Sequence, residues 1–297
     1  MKKLFLILLA GFIIFPACAA KPVKTLIITG QNNHNWEVSN VVIKQILENS
    51  GLFTVDVAVS PKKGEDMSQF VIDFTPYKLV VVDYNGDLWP EETQRGFEKY
   101  AQRGGGIVIY HAANNAFSNW DEFSKICALG GWEGRNEKSG PYVYWQNDGL
   151  IKDNSPGNGG SHGREHEYVL NARNTSHPIV KGLPAQWRHT RDELYDRMRG
   201  PGNIKDIFYT AYSEKDTGGS GREEPLVFTV EYGKARIFHT MLGHAGGTVE
   251  NNIAMQCAGF QILLLRGSEW AAKGKVTQSI PADFPTSTQT KQRKGYK

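Results

Sequence analysis

The sequence predicts an α/β fold, a doubly wound and mostly parallel sheet in a single domain. Four segments have the short apolar or alternating pattern of strands: residues 24–29, 53–59, 77–83 and 107–110. Two segments between them have helical signals. Residues 36–49 have apolar residues at helical spacing, and a second helix opens with proline and acids at residues 90–92 and leads into the glycines at 104–106. The order of these segments is strand, helix, strand, strand, helix, strand, which is typical of a parallel doubly wound sheet.

Glycines 104–106 end a helical pattern and precede a strand that is apolar enough to be buried on both faces. That strand stops abruptly at His111. In open α/β sheets ligands bind beyond the carboxyl ends of the strands, so His111 is a candidate catalytic residue. The structural alternative is a hydrogen-bonded histidine that caps the next helix.

Polar residues follow several other predicted strands. The loops at His34, Asp83 and His111 are expected to converge at the switch point of the sheet. His166 and Gly243-His244 also stand at strand ends. These positions are candidates for holding a substrate or a metal ion.

The second half of the chain has a less regular pattern. Residues 132–163 form a long insertion, rich in Gly, Asn and Ser, whose aromatic residues suit stacking on sugar rings, so we expect a functional loop or lid. Further elements are then predicted in order: a helix at 120–129, strands at 167–170, 204–212, 225–231 and 235–242, a loop at 178–187 and a closing helix at 252–271. The polar segment that follows is expected to be loosely held. There are no repeats and no interdomain linker.

Residues 1–20 have the pattern of a secretory signal peptide: two lysines, a short apolar run and small residues at the end. Without Lys2 and Lys3 the chain keeps 32 basic and 31 acidic residues, which argues against a nucleic-acid partner. Cys18 loosely fits a lipoprotein cleavage site, so a free or a lipid-anchored mature protein is expected in the periplasm or cell envelope. No transmembrane helix is expected in the mature chain.

The histidines allow two metal hypotheses. Residues 162–166 match the H-x-x-E-H spacing of some zinc peptidases, but an internal glycine and a following strand disfavour the helix that this chemistry needs. Separately, His34, His111, His166 and His244 could form a metal site if they converge, since imidazole binds Zn, Cu, Fe and Ni. The cofactor therefore stays open, with a divalent metal at a histidine site as one alternative. No nucleotide-binding motif is present.

Asp192 and Glu193 lie in a polar stretch between two predicted strands. Adjacent acids are usually a solvated turn. A glutamate that faces the crevice could instead act as a general acid or base.

Several of these segments, taken in order, resemble the ThuA-like (trehalose utilisation) family. The matching segments are 26–34, 104–113, 176–184, 192–195, 232–238 and 242–244. The resemblance implies a flavodoxin-like, class I glutamine-amidotransferase-like fold over residues 24–272, followed by a polar tail at 273–297. It also implies a role in carbohydrate metabolism.

Amidotransferases of this fold place a nucleophilic cysteine where this chain has His111. Neither Cys127 nor Cys257 lies near that position, so thiol-based amide hydrolysis is excluded. The resemblance implies isomerisation or hydrolysis of a 3-keto-sugar instead. Glu193 is then the predicted base or acid and His111 its partner; the predicted substrate-binding residues are His34, Asp83, Asn115, His166, Tyr195 and His244. The alternatives are a non-catalytic sugar-binding module of the envelope and, third, a histidine-site metallohydrolase; the substrate and oligomeric state stay open.

Overall fold

The computed structural model describes residues 21–296. The predicted signal peptide and Cys18 lie outside these residues. Within them, no helix is both long and apolar enough to cross a membrane.

A single large sheet organises the chain. Thirteen strands are present in the described residues: β1 (Val23–Thr29), β2 (Phe53–Val59), β3 (Leu79–Val82), β4 (Gly106–Tyr110), β5 (Tyr142–Gln146), β6 (Gly149–Asp153), β7 (Ser161–His162), β8 (His166–Ala172), β9 (Gln186–Asp192), β10 (Tyr195–Asp196), β11 (Asn203–Tyr212), β12 (Glu223–Glu231) and β13 (Arg236–Thr240). Four α-helices accompany them: α1 (Trp36–Asn49), α2 (Glu91–Gln102), α3 (Asp121–Cys127) and α4 (Ala258–Lys273). The predicted α/β fold class is confirmed.

The sheet is parallel on one side and antiparallel on the other. Its order is β2-β1-β3-β4-β13-β12-β11-β8-β9, and the pairs from β2 to β13 are all parallel. From β13 to β9 every pair is antiparallel. The carboxyl ends of β1, β3, β4 and β13 therefore share one edge of the sheet.

The central strands are apolar because both faces are covered. Every residue of β3 and β4 is buried, as expected of strands between two helical layers. Helix α4 crosses the sheet so closely that a Cβ on Gly106 would lie 2.5 Å from the carbonyl oxygen of Ala271. Glycine at the start of β4 thus permits the close approach between helix and strand.

The structure differs from the sequence prediction in four segments. The closing helix begins at Ala258 rather than at residue 252. The 132–163 insertion holds the β5–β6 hairpin rather than being wholly irregular, and part of the predicted 178–187 loop begins β9. The C-terminal segment packs against the domain, with Phe284 buried against Trp187 and Thr286 accepting a backbone hydrogen bond from Arg188. Its apolar anchors are Phe284 and the partly buried Val276 and Tyr296, which are too few to stand out in a polar sequence.

Glu224, buried in β12, makes stability depend on pH. Burial, together with the nearby Asp196 carboxylate, raises the pKa of Glu224 from 4.5 to about 7. The pKa of this carboxyl group is higher in the folded state than in the unfolded state, so its protonation stabilises the fold. This stabilisation is complete below the pKa of the unfolded state and is lost as the pH rises through about 7, the pKa in the folded state. We expect Glu224→Gln to remove about 3 kcal/mol of the pH-dependent loss of stability between pH 4.5 and 8. Urea unfolding of both proteins across this range measures the difference; parallel pH profiles would contradict it.

Candidate active site

Three histidines meet at the shared strand edge. His34 follows β1, His111 follows β4 and His244 follows β13. Their ring centroids lie 4.9 Å (His34–His111), 4.6 Å (His34–His244) and 5.7 Å (His111–His244) apart. Residues separated by up to 210 positions therefore form one group.

His111 is held in a strained and well-defined position. Its φ of +44° lies in the left-handed region, which non-glycine residues rarely adopt and which is often found at functional sites. Its Nδ1 lies 2.7 Å from the carbonyl oxygen of Met241, and because a carbonyl only accepts, Nδ1 carries the proton and donates. The side chain thus bonds a neighbouring strand end rather than capping the following turn, and Nε2 is left to face the other histidines.

Glu193 completes the group. Its Oε2 lies 3.2 Å from His244 Nδ1, 3.5 Å from His111 Nε2 and 3.7 Å from His34 Nε2. These four residues form what we call the imidazole–carboxylate cluster. The sequence prediction paired Glu193 with His111, and the structure brings the two side chains together. Glu193 is not on a solvated turn, since it is buried.

The cluster sets the charge of its members. Although burial alone would raise it, the neighbouring imidazoles of His111 and His244 hold the pKa of Glu193 well below its usual range. Burial, and then His111, lower the pKa of His34 to about 3. Burial opposes protonation of His244, but Glu193 raises its pKa above the ordinary value. Glu193 is thus an anion, and His34 is neutral at neutral pH.

Asp192 anchors the backbone behind the cluster. Its Oδ1 accepts the N–H groups of Glu193 (2.8 Å) and His244 (3.0 Å), and its Oδ2 accepts that of Gly243 (2.7 Å). Oδ2 also lies 2.7 Å from His189 Nε2. A single buried carboxylate therefore ties the Glu193 loop to the strand end that carries His244.

A polar cleft of about 640 Å³ opens onto the cluster. Its wall includes Glu193, His34 and two further predicted residues, Asn115 and Tyr195. The Tyr195 hydroxyl lies 3.0 Å from His34 Nε2, and its ring stacks on His111 with centroids 4.5 Å apart. Other lining residues are mostly amides and bases: Gln31, Asn32, Asn33, Asn85, Lys62 and Lys63.

Three predicted substrate-binding residues lie apart from the cleft lining: His244, which belongs to the imidazole–carboxylate cluster, and Asp83 and His166. Asp83 is fully buried and accepts hydrogen bonds from Ser39 (2.6 Å) and Asn32 (3.2 Å), so it braces the loop that carries His34. Burial raises the pKa of Asp83 to about 8. His166 places Nδ1 2.9 Å from the carbonyl oxygen of Arg164 and lies outside the imidazole–carboxylate cluster.

The structure adds one site residue from the insertion, His162, that was not among the predicted site residues. His162 lines the cleft, with Nε2 3.6 Å from Glu193 Oε1. It reaches Glu193 because β7 pairs with β10, so residues 162–166 do not form the helix of a zinc peptidase. Of the four insertion aromatics, Trp132 lines the cleft. Tyr142 and Trp145 instead contact the guanidinium groups of Arg199 and Arg173.

Both described cysteines are buried and free of disulfides. Burial raises the pKa of the Cys127 thiol to about 12. Cys257 lies beside the buried His189 rather than in the cleft lining. At the position of an amidotransferase nucleophile the chain has the imidazole of His111.

Comparison with known proteins identifies the family to which the chain belongs. A ThuA-like protein from Parabacteroides merdae is 74% identical, with a TM-score of 0.92 over 93% of this chain and 99% of its own. A ThuA-like protein from Bacteroides uniformis is 19% identical (TM-score 0.55, 89% of this chain and 97% of its own) and shares the fold. No functionally curated protein matches. The sequence model of the ThuA family, described as trehalose utilisation, matches residues 24–271, and the chain belongs to this family.

Proposed function

We propose that the protein is an enzyme that acts on a 3-keto-glycoside of the trehalose type by acid–base isomerisation or elimination. The family supports a carbohydrate-utilisation role. One observation carries the chemistry: a buried carboxylate, Glu193, contacts three imidazoles at the base of a polar cleft. A binding module has no need of a buried ionised group in contact with so many bases.

The cleft suits a sugar. Its volume of about 640 Å³ is in the usual range for small-molecule sites. Its amides can both donate to and accept from hydroxyl groups, and Trp132 offers an aromatic face. Hydroxyls bound in this way would fix the sugar ring over Glu193.

The two oxygens of Glu193 have different surroundings, which favours one as the proton acceptor. Oε2 is fully buried among the imidazoles, whereas Oε1 lies towards the part-exposed His162. A carbonyl at C3 makes the C2 hydrogen acidic, so Oε1 takes that proton and the electron pair moves to the C3 oxygen. His34, the imidazole of the cluster that lines the cleft, can donate a hydrogen bond to the resulting enediolate.

The enediolate then has two outcomes. Return of the proton from the other face or to another carbon gives an isomer. Alternatively, the electron pair returns to form a C1–C2 double bond, the C1–O bond breaks, and the leaving alcohol takes the proton that Glu193 carries.

NMR of residues 21–297 with 3-keto-trehalose in deuterated water tests this proposal. We expect deuterium at C2 or release of a keto-sugar, and neither with unmodified trehalose, whose C2 hydrogen is not acidic. Intact sugar with broadened signals would replace the proposal by the non-catalytic binding module. If neither turnover nor line broadening is observed, the family and the fold stand, but this substrate is ruled out.

We also propose that the mature protein works outside the cytoplasm, since residues 1–20 have the composition of a signal peptide. Cell fractionation of the full chain and of Cys18→Ala tests it. Membrane attachment that is lost in Cys18→Ala would identify a lipid anchor. Retention of an uncleaved chain in the cytoplasm would contradict export.

A further inference from the structure

We propose that the imidazole–carboxylate cluster binds one divalent transition-metal ion of the zinc class. The ligand atoms are His111 Nε2, His244 Nδ1 and Glu193 Oε2, and His34 lies at a fourth position on the cleft side. This site is independent of which sugar the protein acts on.

The first observation is that the three ligand atoms are buried and without hydrogen-bond partners, although they face one another. His111 is 1% exposed and Glu193 8% exposed. Unpartnered polar atoms at this depth are costly and rare in native proteins. Since the Nδ1 proton of His111 is committed to Met241, a neutral His111 presents only a lone pair to the carboxylate. One cation at the centre would satisfy all three atoms together.

The distances fit such a cation. Zinc binds imidazole nitrogen and carboxylate oxygen at about 2.0–2.2 Å, which puts tetrahedral neighbours about 3.4 Å apart. From Glu193 Oε2 the three nitrogens lie at 3.2, 3.5 and 3.7 Å. All four ligand atoms lie within 4.8 Å of one another. Shifts of less than about 1 Å would close the set around an ion.

The surroundings hold the ligands as metal sites require. Ligand histidines commonly donate their second nitrogen to a carbonyl or carboxylate. His111 does so to Met241. Asp192 accepts the backbone N–H groups of both Glu193 and His244, which fixes these two ligands relative to each other.

His34 differs from the other three. Its Nε2 already has a partner, the hydroxyl of Tyr195, and it is the histidine of the cluster that lines the cleft. Catalytic zinc sites keep three protein ligands and one exchangeable position. We therefore assign the fixed ligands to His111, His244 and Glu193, and the exchangeable position to the side of His34.

The metal site would deepen the proposed function, and the Lewis-acid role described here rests on that function. A divalent cation at the base of the cleft supplies a Lewis acid for a sugar carbonyl oxygen. Glu193 would hold it through Oε2, and Oε1 would stay free towards His162. The imidazoles then act as ligands rather than as donors to the enediolate.

Metal titration of the untagged, chelator-treated protein tests the site without any substrate. Calorimetry with Zn²⁺ and visible spectroscopy with Co²⁺ should both give one ion per chain, with cobalt bands typical of four- or five-coordination. We expect Glu193→Gln and His244→Gln each to weaken binding at least about 100-fold, because loss of even outer-shell partners costs 10–100-fold. The control is His177→Gln, which removes an imidazole outside the cluster and should bind as the parent does.

Circular dichroism verifies that each variant is folded. Should either variant unfold, elemental analysis and cobalt spectra of the parent protein still decide. Absence of stoichiometric binding by the parent overturns the proposal, because the cluster is then held by protons alone. Unchanged affinity in both folded variants also overturns it, because the ion then binds elsewhere. Turnover of 3-keto-trehalose without bound metal would overturn only the Lewis-acid role.

Discussion

Replacing Glu193 with glutamine is expected to lower kcat on 3-keto-trehalose by at least about 100-fold, since positioned acid–base groups contribute about 10²–10⁴-fold. Glutamine keeps the shape of the side chain but cannot take a proton at neutral pH. It also places a neutral amide beside His111 and His244, which now contact an anion. KM should change less than kcat, because the amides of the cleft wall are untouched. Initial rates by NMR measure both constants.

The matched control is Glu167→Gln, the same substitution on an exposed residue of β8. It should retain the kcat of the parent protein. Circular dichroism of each variant excludes loss of fold as the cause of a lower rate. Full turnover by a folded Glu193→Gln variant would remove this residue from the mechanism.

The parallel half of the sheet was predictable because its signals are local. An apolar run followed by a polar residue marks both a buried strand and the place where it ends, so β1, β3 and β4 could be located by inspection. Parallel strands then bring their carboxyl ends to one edge by topology alone. For this reason the sequence alone predicts that His34 and His111 lie near each other.

The rest of the candidate site depends on pairings that no local pattern records. His162 reaches Glu193 because two-residue strands pair across 33 positions of chain. The sequence of β9 is polar although the strand is part of the sheet, because its inward residues include His189, a buried base that is paired with Asp192. His166, predicted at the site on its strand-end position, bonds instead to the loop before it. In a sequence, a polar residue that pairs with another polar residue in the core looks the same as one in a solvated loop.

Asp192→Asn is expected to destabilise the fold by about 3–5 kcal/mol, the usual cost of breaking a buried ion pair. Asp192 accepts from three backbone N–H groups and contacts His189, and these groups are buried except for the part-buried N–H of His244. An amide has one acceptor oxygen, so its NH₂ group would face donors. Urea unfolding at neutral pH measures the loss, which corresponds to a fall in Tm of about 10 °C. Asp216→Asn, on an exposed turn, should leave stability unchanged.

The buried imidazole accounts for part of this cost. Burial alone would lower the pKa of His189, but Cys257 and Asp192 together raise it to about 10, so it is protonated at neutral pH. In Asp192→Asn that charge loses its carboxylate partner and keeps only Cys257. The double variant His189→Gln/Asp192→Asn should therefore lose less stability than the two single variants added together, by about 1 kcal/mol or more. Strict additivity would show that the ion pair contributes nothing, and that Asp192 acts only by holding the backbone of Glu193 and His244 in place.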